Sequence, residues 1–459
     1  MAKKINRDLI LHGNLTKALL VLALPIVANS FLQTMYNLTD TYWLGKLGKD
    51  NQAAITLITP VQNIIVNFGT GIVTAGSVLI AQYLGAKRDK EARTMASHVL
   101  MCSLIFSIVM AAIVFITTPN IVRYMGAEET VLTYSTIYMR IIIIDMPLLF
   151  LINVFTSVNQ SEGNTIRPLL LNILGISLNM ILDPLFMLVF DWGITGAGLA
   201  TLLSKVPCGI IALASLFNKK NYIYVSLKKF KFQGNMLSSI IKVGLPTAIG
   251  GSTMQFGFLL MSKNVAKYGT AALAAYGIGN KINGLISLPS NAMGSATATI
   301  VGLNIGADNY NRATKAYRLS RNISVVFLLV GGIILSADPV SKSIVSVFSN
   351  ESDVIDNAAN YLSLMALLCF TNGVQNSTQG LFNGSGHTMV TMIIDATRIW
   401  VFRFATLYVC EDILHLGLYS IWWSVVVSNA LSPLILYILY KTGMWKERVI
   451  QLDHDPSPI

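Results

Sequence analysis

The chain has 459 residues, 53% hydrophobic and only 12% charged, with a mean hydropathy of +0.60. A soluble chain carries roughly 25% charged residues, so the two or three soluble domains that this length would allow are excluded. The net charge of +11 would suit nucleic acid, but the basic residues lie in short connectors and leave no face broad enough for a duplex.

Apolar runs of about 20 residues, each sufficient for a bilayer core of roughly 30 Å, recur from Leu15 to Tyr440. Backbone groups removed from water must bond within each run, so the runs are helices. The first 17 residues are basic and precede the apolar stretch 18–28 and Ala28-Asn29-Ser30, the outline of a signal peptide. The repeat described below includes this stretch, which argues for a retained first helix. Helices are predicted at 15–44, 53–84, 94–118, 131–160, 167–190 and 197–217. A second set is predicted at 236–264, 272–304, 319–337, 354–383, 388–410 and 417–440. The expected fold is therefore all-α integral membrane, with twelve transmembrane helices in two pseudo-symmetric six-helix bundles. The corresponding domains are an N-terminal lobe (1–217), a basic cytoplasmic linker (218–235), a C-terminal lobe (236–440) and a cytoplasmic tail (441–459).

Charge supports this threading. Counting helix-end residues with the connector they adjoin, the inner segments hold 21 of the 33 Lys and Arg and the outer connectors hold 6. That asymmetry places both termini in the cytoplasm. Lys228, Lys229 and Lys231 of the linker suit either anionic lipid or simple solvation.

The two halves repeat. A shift of 221 lays Leu24-Pro25 on Leu245-Pro246, Gly48 on Gly269, Ala53-Ala54 on Ala274-Ala275 and Gly85-Ala86 on Gly306-Ala307. The shift becomes 223 at Gly163 and Thr165, and 224 at Gly193 and Ser204. Six helices per half give both halves the same orientation, with a repeat axis along the membrane normal and a central cleft as the expectation.

Charges within apolar helices are costly and mark functional candidates. Asp40 lies late in the first helix, toward the outer side; the alternative is a solvated interfacial acid. Asn179 and Asp183 are four apart and share a face, and Pro184 removes the helical partner of the Met180 carbonyl. Carboxylate, amide oxygen and carbonyl within one turn suit a hard cation or a proton; the alternative is a capped Pro kink. Asp145 and Lys205 fall at similar depth in neighbouring helices. Either they pair, or Lys205, four residues after Thr201, competes for Asp183 as a tethered cation. Asp395 and Arg398 are three apart and expected to pair, while Arg403 and Lys281 are expected to line the interior of the second lobe. His12, His98, His387, His415 and His454 are expected near surfaces without ligand-like partners, so no metal site is expected beyond Na⁺ at the cation site. Cys102, Cys208, Cys369 and Cys410 are scattered singly and form no metal or disulfide pattern.

The segments Asn179–Phe186 and Gly193–Thr201 resemble the fifth and sixth helices of the multidrug and toxic compound extrusion (MATE) family. So do Leu24-Pro25, Leu245-Pro246, Asp40-Thr41, Tyr83–Ala86, Gly163-Asn164-Thr165 and Gly384–Thr388, and the resemblance spans essentially the whole chain. It implies two six-helix bundles and proton- or sodium-driven efflux, with the cation handled in the first lobe. It assigns that role to Asp40, Asn179, Asp183 and Thr201, with Asn153 matching a fourth-helix amide and Pro25 a helix-bending proline. Some members use acids in the seventh and tenth helices, where this chain has Met254-Gln255 and 372–379 without a carboxylate. The expected function is export of small amphipathic, often cationic molecules in exchange for H⁺ or Na⁺, by a monomer in the plasma membrane without a cofactor. The alternatives are a lipid-linked precursor flippase of related architecture, which needs a strongly cationic cleft, and an intramembrane enzyme. For the enzyme, no clustered acids, HExxH or Ser-His arrangement is present.

Overall fold

The computed structural model describes residues 2–127, 129–228, 230–447 and 450. Lys229 of the linker and nearly all of the tail beyond 447, including His454, lie outside the described residues. The described residues are helical, with no strand among them. Helices run in order as α1 (Ala2–Leu11), α2 (Leu15–Gly45), α3 (Lys49–Gly85), α4 (Asp89–Tyr124), α5 (Glu129–Ile144), α6 (Met146–Ser161), α7 (Ile166–Pro184) and α8 (Gly193–Phe217). They continue as α9 (Gly234–Ala266), α10 (Thr270–Gly306), α11 (Tyr310–Ser336), α12 (Asp338–Val345), α13 (Ser352–Leu368), α14 (Phe370–Ser385), α15 (Thr388–Ala396), α16 (Phe404–Tyr408) and α17 (Tyr419–Thr442). Short π-helical turns occupy Leu185–Val189, Thr397–Arg403 and Val409–Ile413.

Every predicted span coincides with helix. Among the described residues, seven helices are long and apolar enough to cross a bilayer, or nine if each of two bent pairs counts as one span. The predicted fourth and tenth helices are those pairs: α5 and α6 meet at 41°, and α13 and α14 at 58°. At the first break, Asp145 precedes Met146-Pro147, and a proline fits the first turn of a new helix but not the middle of one. The amphipathic α1 and α12 were not predicted, because their apolar faces are too short to register as spans.

The helices carry apolar side chains outward and bury small polar residues among the apolar ones of the core. On α4 the buried face carries Ser97, Ser103, Ser107 and Thr118, whereas Ile108, Val109, Ile113 and Ile116 point outward, the last 74% exposed. On α11 the outward stripe is Val326, Phe327, Val330, Ile333 and Ile334. An exposed apolar stripe along each of these helices suits a lipid-facing surface, and small residues on the inner face let helix backbones approach.

Two compact units result. The first comprises 1–8 and 25–248, and the second comprises 9–24 and 249–459. Helix α2 changes unit at Pro25, and α9 does so two residues after Pro246. In the first unit α3 packs on α6; in the second, α10 packs on α14.

The backbone repeats as the sequence does. Positive φ recurs at Gly48 and Gly269 (97° and 99°), Lys87 and Asp308 (60° and 59°), Gly163 and Gly386, and Asp191 and His415 (54° and 52°). Non-glycine residues seldom adopt such angles, so two matched pairs of them are strong evidence of duplicated architecture.

The connector after α8 is held to the first unit. Tyr222 Oη donates to Asp89 Oδ2 at 2.5 Å, the Ile223 N–H donates to Glu162 Oε1 at 2.8 Å, and the Gln233 N–H donates to His98 Nε2 at 2.9 Å. Burial, followed by the hydrogen bond to Asp89, raises the Tyr222 phenol above its ordinary pKa. His98 corrects the expectation of a surface histidine. It is fully buried because Phe230 and Phe232 pack on its ring, and Nδ1–H donates to the Thr94 carbonyl. Those two bonds fix the tautomer.

Candidate functional site

In the first unit, α7 places Asn179 and Asp183 one turn apart on a buried face. Asn179 Nδ2 donates to Asp183 Oδ1 at 3.2 Å. Asp183 is 1% exposed, and no basic side chain lies within ion-pair distance of it among the described residues. With its NH₂ group so oriented, Asn179 Oδ1 is buried without a hydrogen-bond partner among the described residues. Thr201 of α8 is also buried and donates to the Ala197 carbonyl at 3.1 Å, so its oxygen lone pairs stay usable.

From α2, the Tyr36 phenol lies within hydrogen-bonding reach of Thr201 and within the fields of Asp40 and Asp183. Asp40 stands one turn beyond Tyr36, half-buried, and interacts electrostatically with Asp183. Tyr138 of α5 is buried in the same field, with Gln62 as its hydrogen-bond partner. Asp40, Asn179, Asp183 and Thr201 are thus brought together from three helices. Asn153 is not joined to them: its amide packs against Gly69 of α3, with no hydrogen bond to this group among the described residues. Tyr36 could have been found from its spacing of four before Asp40. Gln62 and Tyr138 carry no local signal and converge only through helix packing.

Asp145, 2% exposed at the break between α5 and α6, forms an ion pair with Lys205 of α8. The pairing read from matched depth is the one the structure contains. The Lys205 ammonium is engaged by Asp145 and not by Asp183.

The second unit has an open cavity of about 380 Å³ whose wall includes Met254, Phe258, Met365, Asp395, Arg398 and Arg403. Asp395 and Arg398 pair at 3.5 Å, as their spacing predicts. Asp395 also accepts from Gln379 Nε2 at 2.9 Å through both oxygens and from Gln375 Nε2 at 3.3 Å. Residues 372–379 therefore supply amide donors to an acid on α15. Arg403 lines this interior as expected. Lys281 does not: it is exposed, because neighbouring Ile282 takes the core-facing position on α10 together with Ile278 and Ile286.

A helical membrane protein with duplicated bundles, and with a buried acid in one of them that no base among the described residues neutralises, belongs to the class of multi-pass transporters. The MatE family profile matches residues 25–185 and 246–409, one stretch in each repeat. The probable multidrug resistance protein YoeA of Bacillus subtilis is 25% identical over 436 residues, 93% of each chain. The multidrug export protein MepA of Staphylococcus aureus is 22% identical over 92% of this chain and 94% of its own. A solved structure described as the outward-facing conformation of a multidrug resistance MATE family transporter matches with a TM-score of 0.89 at 25% identity, covering 95% of this chain and 97% of the other. This chain belongs to the MatE family, and is a membrane transporter.

Proposed function

We propose that this protein exports small amphipathic molecules, often cationic, by antiport with H⁺ or Na⁺. The plasma membrane is its site, with both termini in the cytoplasm. The carrying observation is Asp183: a buried carboxylate whose hydrogen-bond partner among the described residues is a neutral amide. An isolated charge in such surroundings is expensive, so the group has reason to take up either a proton or a metal cation. The partnerless Asn179 oxygen, the Thr201 hydroxyl and Asp40 supply further oxygen ligands of the kind hard cations require. The names of the similar proteins, multidrug resistance and multidrug export, support the substrate class.

Exchange follows if cation and substrate prefer different conformations, since a ligand shifts a population only by its differential affinity. One elementary charge crossing 100 mV supplies about 2.3 kcal/mol, enough for roughly a 50-fold substrate gradient. The test is ethidium export from proteoliposomes under separately imposed proton and sodium gradients. Wild type should follow at least one gradient, and Asp183→Asn should lose that dependence. Undiminished gradient-driven export by Asp183→Asn would refute the reading.

A further inference from the structure

Arg403 is a buried cation that the antiport reading does not use. It is 2% exposed, and no carboxylate lies within ion-pair distance of it among the described residues. Its hydrogen-bond and ring partners are neutral: Nε donates to Ser428 Oγ and Nη2 to Asn429 Oδ1, each at 3.1 Å, and the guanidinium stands 5.7 Å from the Phe258 ring centre. Nη1 is buried with no hydrogen-bond partner among the described residues, and so is Nε of Arg398, which lines the same cavity. The acid of that cavity is already committed, Asp395 being held by two glutamines and Arg398. Buried guanidinium groups are ordinarily matched by an anion, and here the cavity carries one positive charge in excess.

Helix geometry explains how both arginines reach the cavity. Residues five apart on a regular α-helix diverge by about 140°, whereas a turn closed by i→i+5 bonds brings them back toward one face. Arg398 and Arg403 lie within the π turn Thr397–Arg403. This turn also accounts for the slip in the repeat. The π turn at Leu185–Val189 has its counterpart at Val409–Ile413, a shift of 224, but Gly163 matches Gly386 at 223. The extra residue lies between, where the second unit has the π turn and α7 is continuous. Beyond the insertion, Arg403 takes the position of Asn179, and Leu407 that of Asp183. Where the first unit presents oxygen ligands, the second presents a guanidinium.

We propose that the cavity of the second unit is an anion site receiving the carboxylate of a small amphipathic organic acid. The guanidinium groups of Arg403 and Arg398 supply its positive charge, and Phe258, Met365 and Val425 form the apolar wall. A volume of about 380 Å³ is in the range of small-molecule pockets and too small for a diacyl lipid. Charge-assisted donors to a carboxylate are planar and strong.

The test is equilibrium binding of salicylate and of neutral salicylamide to the full chain in phosphatidylcholine nanodiscs, with no gradient applied. It therefore succeeds or fails independently of the antiport reading. Salicylate should bind and raise the melting temperature, and salicylamide should not. Arg403→Gln should weaken salicylate about 10- to 100-fold, and Arg398→Gln, which keeps the buried guanidinium, should weaken it less. Should Arg403→Gln fail to fold, Arg403→Lys serves, with a smaller loss expected because a point charge replaces the planar donor. Equal binding of acid and amide, or undiminished binding by folded Arg403 variants, would overturn the assignment. Displacement of salicylate in phosphatidylglycerol discs would give the site to a lipid headgroup and overturn it as well.

Discussion

Asp183 and Asp145 are both almost fully enclosed carboxylates in neighbouring helices of the first unit, yet their company differs. Asp145 faces the Lys205 ammonium, whereas Asp183 accepts from the Asn179 amide. A paired acid has its counter-ion built in, whereas the described partner of Asp183 is a neutral amide. Removing one member of a buried pair is more damaging than removing both, because the survivor is left uncompensated. Lys205→Met is therefore expected to destabilise the protein by about 3 kcal/mol, and the double variant Asp145→Asn/Lys205→Met to recover most of that loss. Thermal unfolding of purified protein in detergent reads both, and a neutral single variant would contradict the pairing argument. The spacing of Asn179 and Asp183 was legible as one helix face. The orientation of the Asn179 amide was not, since it depends on which neighbours compete for its two ends.

Helix contacts in each unit rely on small residues. On α14, Gly380 and Gly384 are four apart and turn one flank toward α10. A Cβ on Gly384 would stand 2.9 Å from the Ala298 Cα, and one on Gly380 would meet the Gly294 backbone. Because the obstacles are backbone atoms, no rotamer change relieves them. Gly384→Val should cost about 1–3 kcal/mol, read as a lower melting temperature by fluorescence-detected gel filtration. Gly331→Val, at a site with nothing within 4 Å, should leave that temperature nearly unchanged. Equal behaviour of the two variants would show that close approach does not set the α10–α14 contact. Sequence placed these helices within a few residues. It missed the bends at Asp145 and Cys369 and the π turns, because hydropathy continues unbroken across them while the backbone does not.

At the scale of the whole chain, outward Ile, Val and Phe on α4 and α11 mark a molecule solvated by lipid, and along the sequence basic connectors alternate with nearly neutral ones. Positive connectors are retained on the cytoplasmic side, which predicts the orientation. With native cysteines replaced, a cysteine at Lys220 should react with a membrane-impermeant maleimide only after cells are permeabilised, and one at Asp412 should react in intact cells. The opposite pattern would invert the assignment of the termini. Lys220 and Asp412 are both exposed, so accessibility and not burial decides the outcome.

Composition and periodicity determined the solvent and the helical class, repeated register the duplication, and the resemblance of short motifs pointed to the family, because all of these are properties of the chain read in order. Local spacing also supplied Asp183 with Asn179, and Asp395 with Arg398. Tertiary structure decided what could not be read in order: that Tyr36, Tyr138 and Thr201 from three helices surround the first acid, that Lys205 answers Asp145, and that Arg403 stands in a cavity without a counter-ion. Those outcomes depend on which helix faces meet, and a single inserted residue in a π turn is enough to change the face that is presented.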